Sequence, residues 1–353
     1  MKQNTTDLKT SDFDYELPPE RIAQVPVVPR DQARLLYVTQ NLSDHSISAL
    51  PSLLNPGDLL VFNDTKVIPA RLFGKRGSVA IEVLLHKKQD TQTWQAFARP
   101  GKRLHVGDII SFAPDFFVEV LEKCNDGEIL VRFSVPDEGL QAYLQQYGEI
   151  PLPPYIKRPQ GSTLDDRSRY QTVYAAREGA IAAPTAGLHF TPELLSKLAA
   201  RHIKCLNVTL HVGAGTFLPV KALHLKDHIM HAEWGEVTLD TARQINIARQ
   251  EGRRIVVIGT TTLRLLETAA DAEGVVQAFS GNTDIFIYPG YRFKVGDVLL
   301  TNFHLPKSTL FMLVCAFAGQ RRMRQAYEYA IAQNYRFYSY GDATLLEKSN
   351  DQI

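Results

Sequence analysis

Histidines and carboxylates that could move protons lie close together in the second half of the chain. His224, His228 and His231 are followed at once by Glu233. On a helix the three histidines would share one face, an arrangement from which a metal site can be built. However, the Trp-Gly pair at 234–235 would soon end a helix, and no carboxylate occupies the His-Glu-x-x-His position. Catalytic or hydrogen-bonding histidines explain the spacing as well, so we expect no bound metal.

Two glycine-containing segments could bring the backbone close to a ligand. Residues 184–190 form a strand-to-helix loop with Gly187 and His189, and such loops bind ligands in α/β proteins. Gly213 and Gly215 follow a predicted strand, but the third glycine of a dinucleotide motif and the Lys-Ser/Thr of a P-loop are missing. A glycine-lined strand end therefore explains this second segment better than a nucleotide motif does.

A third segment is suited to binding an anion. An apolar strand at 255–258 runs through Gly259 and three threonines into a predicted helix that continues to residue 270. Free N–H groups and the helix dipole at such a start favour negative charge. Ordinary capping by threonine accounts for the pattern equally well. Arg264 and Glu267 follow on the first two turns and could pair with each other or contact a ligand.

The charge of the chain is balanced overall but uneven locally. Lys and Arg number 39 against 38 Asp and Glu, a formal net charge of +1, so bulk charge predicts no nucleic-acid partner. Residues 66–76 contain four basic and no acidic side chains, and residues 291–338 contain seven basic and two acidic ones. Charge alone favours solvated helix and turn faces. Residues 335–342 add four aromatic rings, which suit either base stacking or a core strand.

Length and composition favour an ordinary globular protein. A chain of 353 residues suggests two domains, or one large α/β unit with an insertion. No stretch approaches the ~20 apolar residues of a membrane span, and the acidic start has no signal-peptide character. Three widely separated cysteines form neither a disulfide framework nor a zinc ribbon. We therefore expect a cytoplasmic protein that does not contact membranes.

The chain divides into a segment of short predicted strands and a segment in which predicted strands and helices alternate. Short alternating strands at 78–86, 94–98, 108–112, 116–121 and 129–133 predict a small β-barrel. From residue 179 onward strands alternate with helices: strands are predicted at 180–183, 203–212, 255–258, 284–288 and 298–303, and helices from 191, at 239–250 and at 321–333. The prediction is an α/β fold, a mixed-sheet main domain (1–71 and 151–353) with an inserted small antiparallel β-barrel (72–150).

The order of several motifs along the chain gives a more specific indication. The sequence resembles the S-adenosylmethionine:tRNA ribosyltransferase-isomerases, a family of the queuosine pathway. The resemblance runs from residue 12 almost to the C-terminus. It is carried by DFDYELPPERIAQ (12–24), GDLLVFNDTKVIPAR (57–71), GEIPLPPYI (148–156), YQTVYA (170–175), APTAGLHFT (183–191), HVGAGTF (211–217), HIMHAE (228–233), GTTTLR (259–264), TNFHLPKSTL (301–310) and YRFYSYGD (335–342). One departure is Thr344, where the family usually has Met, and we expect only a packing difference there.

The resemblance implies an α/β domain with an inserted barrel, and it implies a reaction. The ribosyl group of S-adenosylmethionine moves to 7-aminomethyl-7-deazaguanine at the wobble position of tRNA. It is isomerised as adenine and methionine leave, giving epoxyqueuosine. The partners are therefore tRNA, through its anticodon region, and S-adenosylmethionine. Because that donor is consumed, we expect no separate cofactor, and we expect a monomer.

That reaction assigns expected roles to residues. The sulfonium acidifies the ribose 5′ carbon, so a general base should remove a proton there before adenine departs and the amine attacks. The catalytic candidates are His189, His211, His228, His231, Glu233 and Asp64. The substrate-binding candidates are Thr185, Gly187, Gly213, Gly215, Gly259, Thr260, Thr261, Arg264, Asn302 and His304, with the methionine carboxylate at residues 259–262. The tRNA-binding candidates are Lys66, Arg71, Arg292, Lys307, Tyr335, Arg336, Tyr338 and Tyr340.

Two other function classes stay open at this point. A methyltransferase would use the same donor but would release S-adenosylhomocysteine, and its acidic and glycine-rich fingerprint is missing. A non-catalytic RNA-binding module would use the basic and aromatic C-terminal third. That alternative leaves the polar loops at Pro184 and Gly259 without a role, and it predicts tRNA binding that is indifferent to S-adenosylmethionine.

Overall fold

Strands are the commonest element in the computed structural model, which describes residues 8–124, 127–158, 161–213, 215 and 220–349. The strands there are β1 (Arg34–Val38), β2 (Leu42–Ser46), β3 (Leu59–Asn63), β4 (Thr65–Val67), β5 (Arg71–Arg76), β6 (Val79–Lys88), β7 (Thr93–Arg99), β8 (Ile109–Ala113), β9 (Phe116–Lys123), β10 (Glu128–Phe133), β11 (Arg177–Ala180), β12 (Lys204–Leu210), β13 (Glu233–Val237), β14 (Ile255–Ile258), β15 (Phe279–Thr283), β16 (Val298–Asn302) and β17 (Ala343–Glu347). The α-helices are α1 (Leu50–Leu53), α2 (Asp137–Tyr147), α3 (Leu164–Arg169), α4 (Pro192–Ala200), α5 (Leu239–Gln250), α6 (Thr260–Ala269), α7 (Thr309–Ala318) and α8 (Gln320–Ala332).

Nine strands form one mixed sheet in the order β15-β13-β12-β3-β14-β16-β17-β1-β2. Its centre, β12-β3-β14-β16, is parallel, and β3, β14 and β16 are buried on both faces because helices cover both. Leu59 and Val61 of β3 face a core shared with α5, α6, α7 and α8. Leu60 and Phe62 face a second core with α1 and α4. The predicted mixed-sheet α/β architecture is confirmed.

Six antiparallel strands close into a barrel in the order β10-β7-β6-β5-β8-β9. Its interior contains alternate residues of each strand, such as Ile81, Val83 and Leu85 of β6, and α2 packs on it through Leu140 and Leu144. The barrel strands lie in sequence between β4 and β11, which pair with each other in parallel, so the barrel is an insertion as predicted. The assignment of residues 71–72 and 150–151 as the domain boundaries stays a prediction.

Two predicted strands are displaced in the structure. The strand predicted at 180–183 ends at Ala180, because the N–H groups of Ile181 and Ala182 both donate to the single carbonyl of Val212. The strand predicted at 284–288 is irregular, and residues 279–283 form β15 beside β13 instead. The apolar side chains of Ile285, Phe286 and Tyr288 pack against the main core without pairing in a sheet.

No helix in the described part of the chain is both long enough and apolar enough to cross a membrane.

Candidate active site

The carboxyl ends of the four central parallel strands lie at one edge of the sheet, where α/β proteins bind ligands. Strand β12 leads to His211, β3 to Asp64, β14 to Gly259, and β16 ends at Asn302. The chain reaches these positions from separate segments, and the parallel register brings them together. Two adjoining cavities lie at this edge, and both are lined by Val212 and Leu310.

The larger of them, the outer cavity, has a volume of about 430 Å³. It lies between the barrel and the sheet edge. The barrel contributes His86, Lys87, Lys88 and Trp94 to its wall. The main domain contributes Glu178, Gly179, His211, Gly213, Gly215, His228, Met230, His231, Glu233, Trp234 and Arg264. Imidazoles, two carboxylates and a guanidinium therefore surround a space large enough for a nucleoside.

His211 is held firmly in the wall of the outer cavity. Its Nδ1 lies 2.8 Å from the Thr65 hydroxyl, and its ring stacks on Trp234 with centroids 5.2 Å apart. A Cβ on Gly179 would lie 2.8 Å from His211 Nε2, so only glycine leaves room for the ring. Burial, helped by the charge of Arg177, lowers the pKa of His211 to about 4. The imidazole is therefore neutral and able to accept a proton at neutral pH.

Glu233 and Arg264 form a buried ion pair in the same wall. Arg264 Nη1 donates to Glu233 Oε2 at 2.5 Å, and Arg264 Nε donates to the carbonyl of Ile285. Glu233 Oε1 accepts the backbone N–H of Gly213 at 3.0 Å. Glu233 thus ties the first residue of the glycine loop to helix α6. Arg264 Nη2 has no hydrogen-bond partner among the residues described.

His228 and His231 line the outer cavity, but the helix that would align them with His224 does not form. Residues 225–227 make a single 3₁₀ turn and residues 228–232 are irregular. Burial, with a smaller contribution from His231, lowers the pKa of His228. Nowhere in the described ranges do three His, Cys, Asp or Glu side chains approach one another closely enough to hold a metal ion. The helical metal-site arrangement is therefore not present.

The smaller, inner cavity has a volume of about 60 Å³ and lies at the start of α6. Gly259 precedes the helix with φ +88° and offers no capping side chain, so the N–H groups of the first turn stay available to a ligand. Gly259, Thr260 and Thr261 all line this cavity. The space is small, and the helix dipole makes its end at α6 favourable for a carboxylate.

Asn302 organises the opposite wall of the inner cavity. Its side-chain oxygen accepts from the Thr185 hydroxyl at 3.1 Å, and its amide donates to the Tyr338 carbonyl at 3.1 Å. The same amide lies 3.3 Å from Nε2 of His189. His304 is 5% exposed, its Nε2 is 3.1 Å from the Thr301 hydroxyl, and burial lowers its pKa to about 3.

The structure brings most of the predicted catalytic and substrate-binding residues together. The outer cavity is lined by His211, Gly213, Gly215, His228, His231, Glu233 and Arg264. The inner cavity is lined by Thr185, Gly259, Thr260, Thr261, Asn302 and His304.

Three of the predicted residues line neither cavity. His189 lies behind Asn302, and burial first, then Arg336 and Arg30, lower its pKa to about 3. Asp64 is buried, accepts a hydrogen bond from Thr209 at 2.7 Å, and has its pKa raised chiefly by burial. Gly187 is buried where a Cβ would collide with the Tyr174 hydroxyl, so it serves packing.

The predicted tRNA-binding cations are mostly engaged within the protein. Lys66 pairs with Glu178 at 2.9 Å, Arg71 with Glu82 at 3.2 Å, and Lys307 with Asp14 at 2.7 Å. The acidic partners come from outside the basic segments, which local charge counts cannot show. Arg336 lies 3.6 Å from Asp342, and Arg292 is exposed.

The aromatic segment at 335–342 lies largely in the core. Tyr335 is 0% exposed, under the guanidinium of Arg34, and Tyr340 is 2% exposed. Neither ring offers a face to a base in this conformation. Tyr338 differs, because it lines the inner cavity and meets Tyr155 edge-on.

Several residues of the cavities are not among the sequence candidates. His86 and Trp94 stand at the ends of barrel strands β6 and β7, and Trp234 and Glu178 belong to β13 and β11. Within a strand, one inward histidine or tryptophan gives no signal that separates it from core positions. Only the docking of the barrel on the sheet edge identifies them.

Fold and site together define an α/β enzyme whose inserted barrel closes a ligand cleft at the carboxyl edge of a parallel sheet. Residues 10–346 match the family described as queuosine biosynthesis protein. The chain is 56% identical over 340 residues to an S-adenosylmethionine:tRNA ribosyltransferase-isomerase of Rhodospirillum rubrum, covering 96% of this chain and 98% of that one. It is 52% identical to an enzyme of the same name from Caulobacter vibrioides, covering 97% and 99%.

A solved relative has the same overall architecture. The crystal structure of an S-adenosylmethionine tRNA ribosyltransferase from Thermotoga maritima matches with a TM-score of 0.55 and 38% identity, covering 95% of this chain and 99% of that one. The chain belongs to the queuosine biosynthesis protein family. It is therefore an enzyme of queuosine biosynthesis, a transferase of the ribosyltransferase-isomerase type.

Proposed function

We propose that the two cavities bind S-adenosylmethionine end to end and transfer its ribosyl group to a tRNA base. The acceptor is 7-aminomethyl-7-deazaguanine at the wobble position, and the products are epoxyqueuosine in tRNA, adenine and methionine. The observation that carries the proposal is the juxtaposition of an anion-binding helix start with a neutral imidazole in adjoining cavities. Val212 and Leu310 line both, so one elongated ligand can span them.

The methionine end of the donor occupies the inner cavity. Its carboxylate accepts hydrogen bonds from the free N–H groups at residues 260–261, where the α6 dipole adds a favourable charge interaction. Asn302 and Thr185, which are hydrogen-bonded to each other, lie at the other side of the same small space. This placement leaves the sulfonium near Val212 and Leu310, and the nucleoside in the outer cavity.

His211 is the base that removes a proton from the ribose 5′ carbon. The Thr65 hydroxyl donates to the Arg177 carbonyl at 3.5 Å, so its oxygen is free to accept Nδ1–H of His211. That tautomer puts the free lone pair on Nε2, beside Gly179 in the wall of the outer cavity. The lowered pKa keeps this lone pair unprotonated at neutral pH.

Glu233 and Arg264 orient the site and do not take the proton. Both carboxylate oxygens of Glu233 already accept hydrogen bonds, one from Arg264 and one from Gly213. Arg264 Nη2 is a buried donor without a partner in the part of the chain described, so a ligand oxygen reaching it would satisfy that donor. The half-buried His228 and the exposed His231 stand at the cavity wall, where they can shuttle protons to departing adenine.

The tRNA base enters from the side where the barrel meets the sheet. Lys87 and Lys88 are exposed at the cavity rim. Lys88 pairs with Asp137, so Lys87 is the rim cation that favours a polyanion there. A wobble base is unpaired in an anticodon loop, so no duplex has to open before it enters. The amine of the base would then reach the opened sugar in the outer cavity.

The fate of the donor tests this function. The purified protein is incubated with S-adenosylmethionine and tRNA carrying the aminomethyl base, and the small molecules are separated. Ribosyl transfer predicts adenine and methionine in equal amounts, dependent on tRNA. Release of S-adenosylhomocysteine would instead make the protein a methyltransferase and would overturn the proposal. A tRNA that lacks the aminomethyl base is the matched control, and it should give neither product.

A further inference from the structure

A second concave site of about 410 Å³ lies outside the two cavities, between strand β4, helix α3 and the end of α2. We call it the basic pocket and define it by Arg30, Lys66, Arg167, Thr172 and Val173. Among the residues described, its wall contains these three cations and no carboxylate. Neither Arg30 nor Arg167 was among the sequence candidates for nucleic-acid binding.

The two guanidiniums of the basic pocket are held by backbone carbonyls. Arg30 donates from Nη1 to the Gln171 carbonyl at 2.8 Å and from Nη2 to the Ser168 carbonyl at 2.6 Å. Arg167 donates to the carbonyls of Gln145 and Gly148, at 3.1 and 2.7 Å. Carbonyl oxygens fix the orientation of a guanidinium but do not neutralise it. The pocket therefore presents two oriented cations that pair with no carboxylate among the residues the structure describes.

The nearby carboxylates are committed to other cations. Asp165 pairs with Arg169 at 3.2 Å, and the buried Asp166 accepts both hydrogen bonds of a bidentate pair from Arg158. These partners hold the negative charge away from the pocket wall. Thr172 is 5% exposed, lines the pocket, and its hydroxyl has no hydrogen-bond partner in the residues the structure describes. An added acceptor would satisfy it.

One ion pair separates the basic pocket from the outer cavity. Lys66 lines the pocket, Glu178 lines the outer cavity, and their charged atoms are 2.9 Å apart. A nucleic-acid strand whose base enters the outer cavity would pass this pair, and its neighbouring phosphates would come within reach of the pocket. A small-molecule donor confined to the two cavities would not need it.

We infer that the basic pocket binds the sugar-phosphate backbone of the substrate RNA next to the base that enters the outer cavity. This inference rests on the proposed function for its substrate. Guanidiniums held in fixed orientation match phosphate oxygens well. The pocket recognises the charge and position of the RNA phosphates and does not distinguish base sequence. It therefore contributes to RNA affinity and leaves binding of S-adenosylmethionine unchanged.

Val173 provides the test, because it lines the pocket, is 47% exposed, and has no place in either cavity. Val173→Glu adds a negative charge to the pocket, and Val173→Gln is the neutral control of nearly the same shape. Affinity for an unmodified anticodon stem-loop RNA is measured by fluorescence anisotropy at several salt concentrations. We expect the Glu variant to bind roughly tenfold more weakly at low salt than the Gln variant, with a salt slope lower by about 1.

Ser168→Glu and Ser168→Gln form a second pair at an exposed position of the same pocket, in case the first pair fails to fold. Equal RNA affinity of the Glu and Gln variants at a folded position would overturn the inference. Weaker binding of inorganic phosphate with unchanged RNA binding would also overturn it, since the pocket would then be a small-anion site. Because the RNA is unmodified, the comparison stands even if the enzyme releases S-adenosylhomocysteine and the proposed reaction fails.

Discussion

Arg264 and Glu233 meet at 2.5 Å with side chains only 5% and 7% exposed, in the wall of the outer cavity. One is the fifth residue of α6 and the other the first residue of β13, so the pair fixes the helix proposed to bind the anion to the strand that carries Trp234. The backbone N–H of Gly213 donates a hydrogen bond to the other oxygen of the Glu233 carboxylate. Geometry at both ends of the cleft thus depends on one buried pair.

Removing one partner of this pair leaves the other charged and buried. We expect Glu233→Gln to lower the free energy of unfolding by about 3 kcal/mol, measured by urea titration, and to reduce turnover strongly. Glu236→Gln is the control, since Glu236 pairs with Arg177, whose side chain is 45% exposed, and its loss should cost less than about 1 kcal/mol. Equal stability losses in the two variants would contradict the structural role given to Glu233.

We expect His211 to act as a base that is already unprotonated at neutral pH. Its pKa of about 4 predicts a rate that is flat with respect to this group above about pH 5 and falls at lower pH, as the ring gains a proton. We expect His211→Gln to lower kcat by about 10²- to 10⁴-fold with little change in the Kd for S-adenosylmethionine. His45→Gln, at a partly buried histidine of β2 that lines neither cavity, is the control. A His211→Gln enzyme with normal kcat would exclude it as the base.

Buried neutral histidines predict acid lability of the fold. Burial lowers the pKa of His189 and of His304 to about 3, whereas an unfolded histidine has a pKa near 6.5. Between those values the unfolded chain binds protons that the folded chain does not, so stability falls as pH falls below about 6.5. Each such histidine adds about 1.4 kcal/mol per pH unit to the slope.

The dependence of the unfolding free energy on pH can be tested at one of these histidines. We expect His304→Gln to reduce the pH dependence of the urea-unfolding free energy by one proton between pH 6.5 and 4.5. His105→Gln is the control variant, at a histidine whose side chain is 74% exposed. If His304→Gln and His105→Gln have the same slope as the wild type, His304 is not buried in the neutral form.

The start of α6 should select donors by their carboxylate. S-adenosylmethionine lacking that carboxylate should bind roughly tenfold more weakly, as expected for loss of an anion at a helix N-terminus with its hydrogen bonds. Calorimetry compares the two ligands directly. Thr261→Val removes a hydroxyl but keeps the helix N–H groups, so the ratio of the two affinities should persist in that variant. Equal affinities in the wild-type protein would place the carboxylate elsewhere.

Local sequence patterns predicted a helix or strand best where the signals at its ends and its pattern of apolar residues indicate the same element. The bounds of α5 and β14 match the predicted ones because Thr238 caps α5 and because β14 is apolar on both faces. Helix α7 is absent from the prediction, since its residues are apolar all round and give no helical period. Strand β5 is also missing from the prediction, because Gly74 and exposed side chains interrupt its alternation. Gly74 is needed there because Phe112 packs against the backbone.

The chain segments that form the candidate site could be predicted from the sequence, but the way in which the barrel covers them could not. Gly259 was a candidate because it follows an apolar strand and precedes a helix, whereas His211 and Asn302 were candidates through the family resemblance of residues 211–217 and 301–310. The contribution of His86 and Trp94 depends on which end of the barrel docks on the sheet, and no local pattern encodes that. The rings of residues 335–342 alternated in a way that suited both a core and a surface, and packing decided for Tyr335 and Tyr340.

The most direct measurement follows the RNA product. The protein is incubated with S-adenosylmethionine and tRNA containing 7-aminomethyl-7-deazaguanine, beside the His211→Gln variant, and the nucleosides are identified by mass spectrometry. We predict epoxyqueuosine with the wild-type protein and almost none with the variant. Unmodified substrate tRNA after incubation with folded wild-type protein, while a control enzyme of the family converts it, would contradict the proposed function.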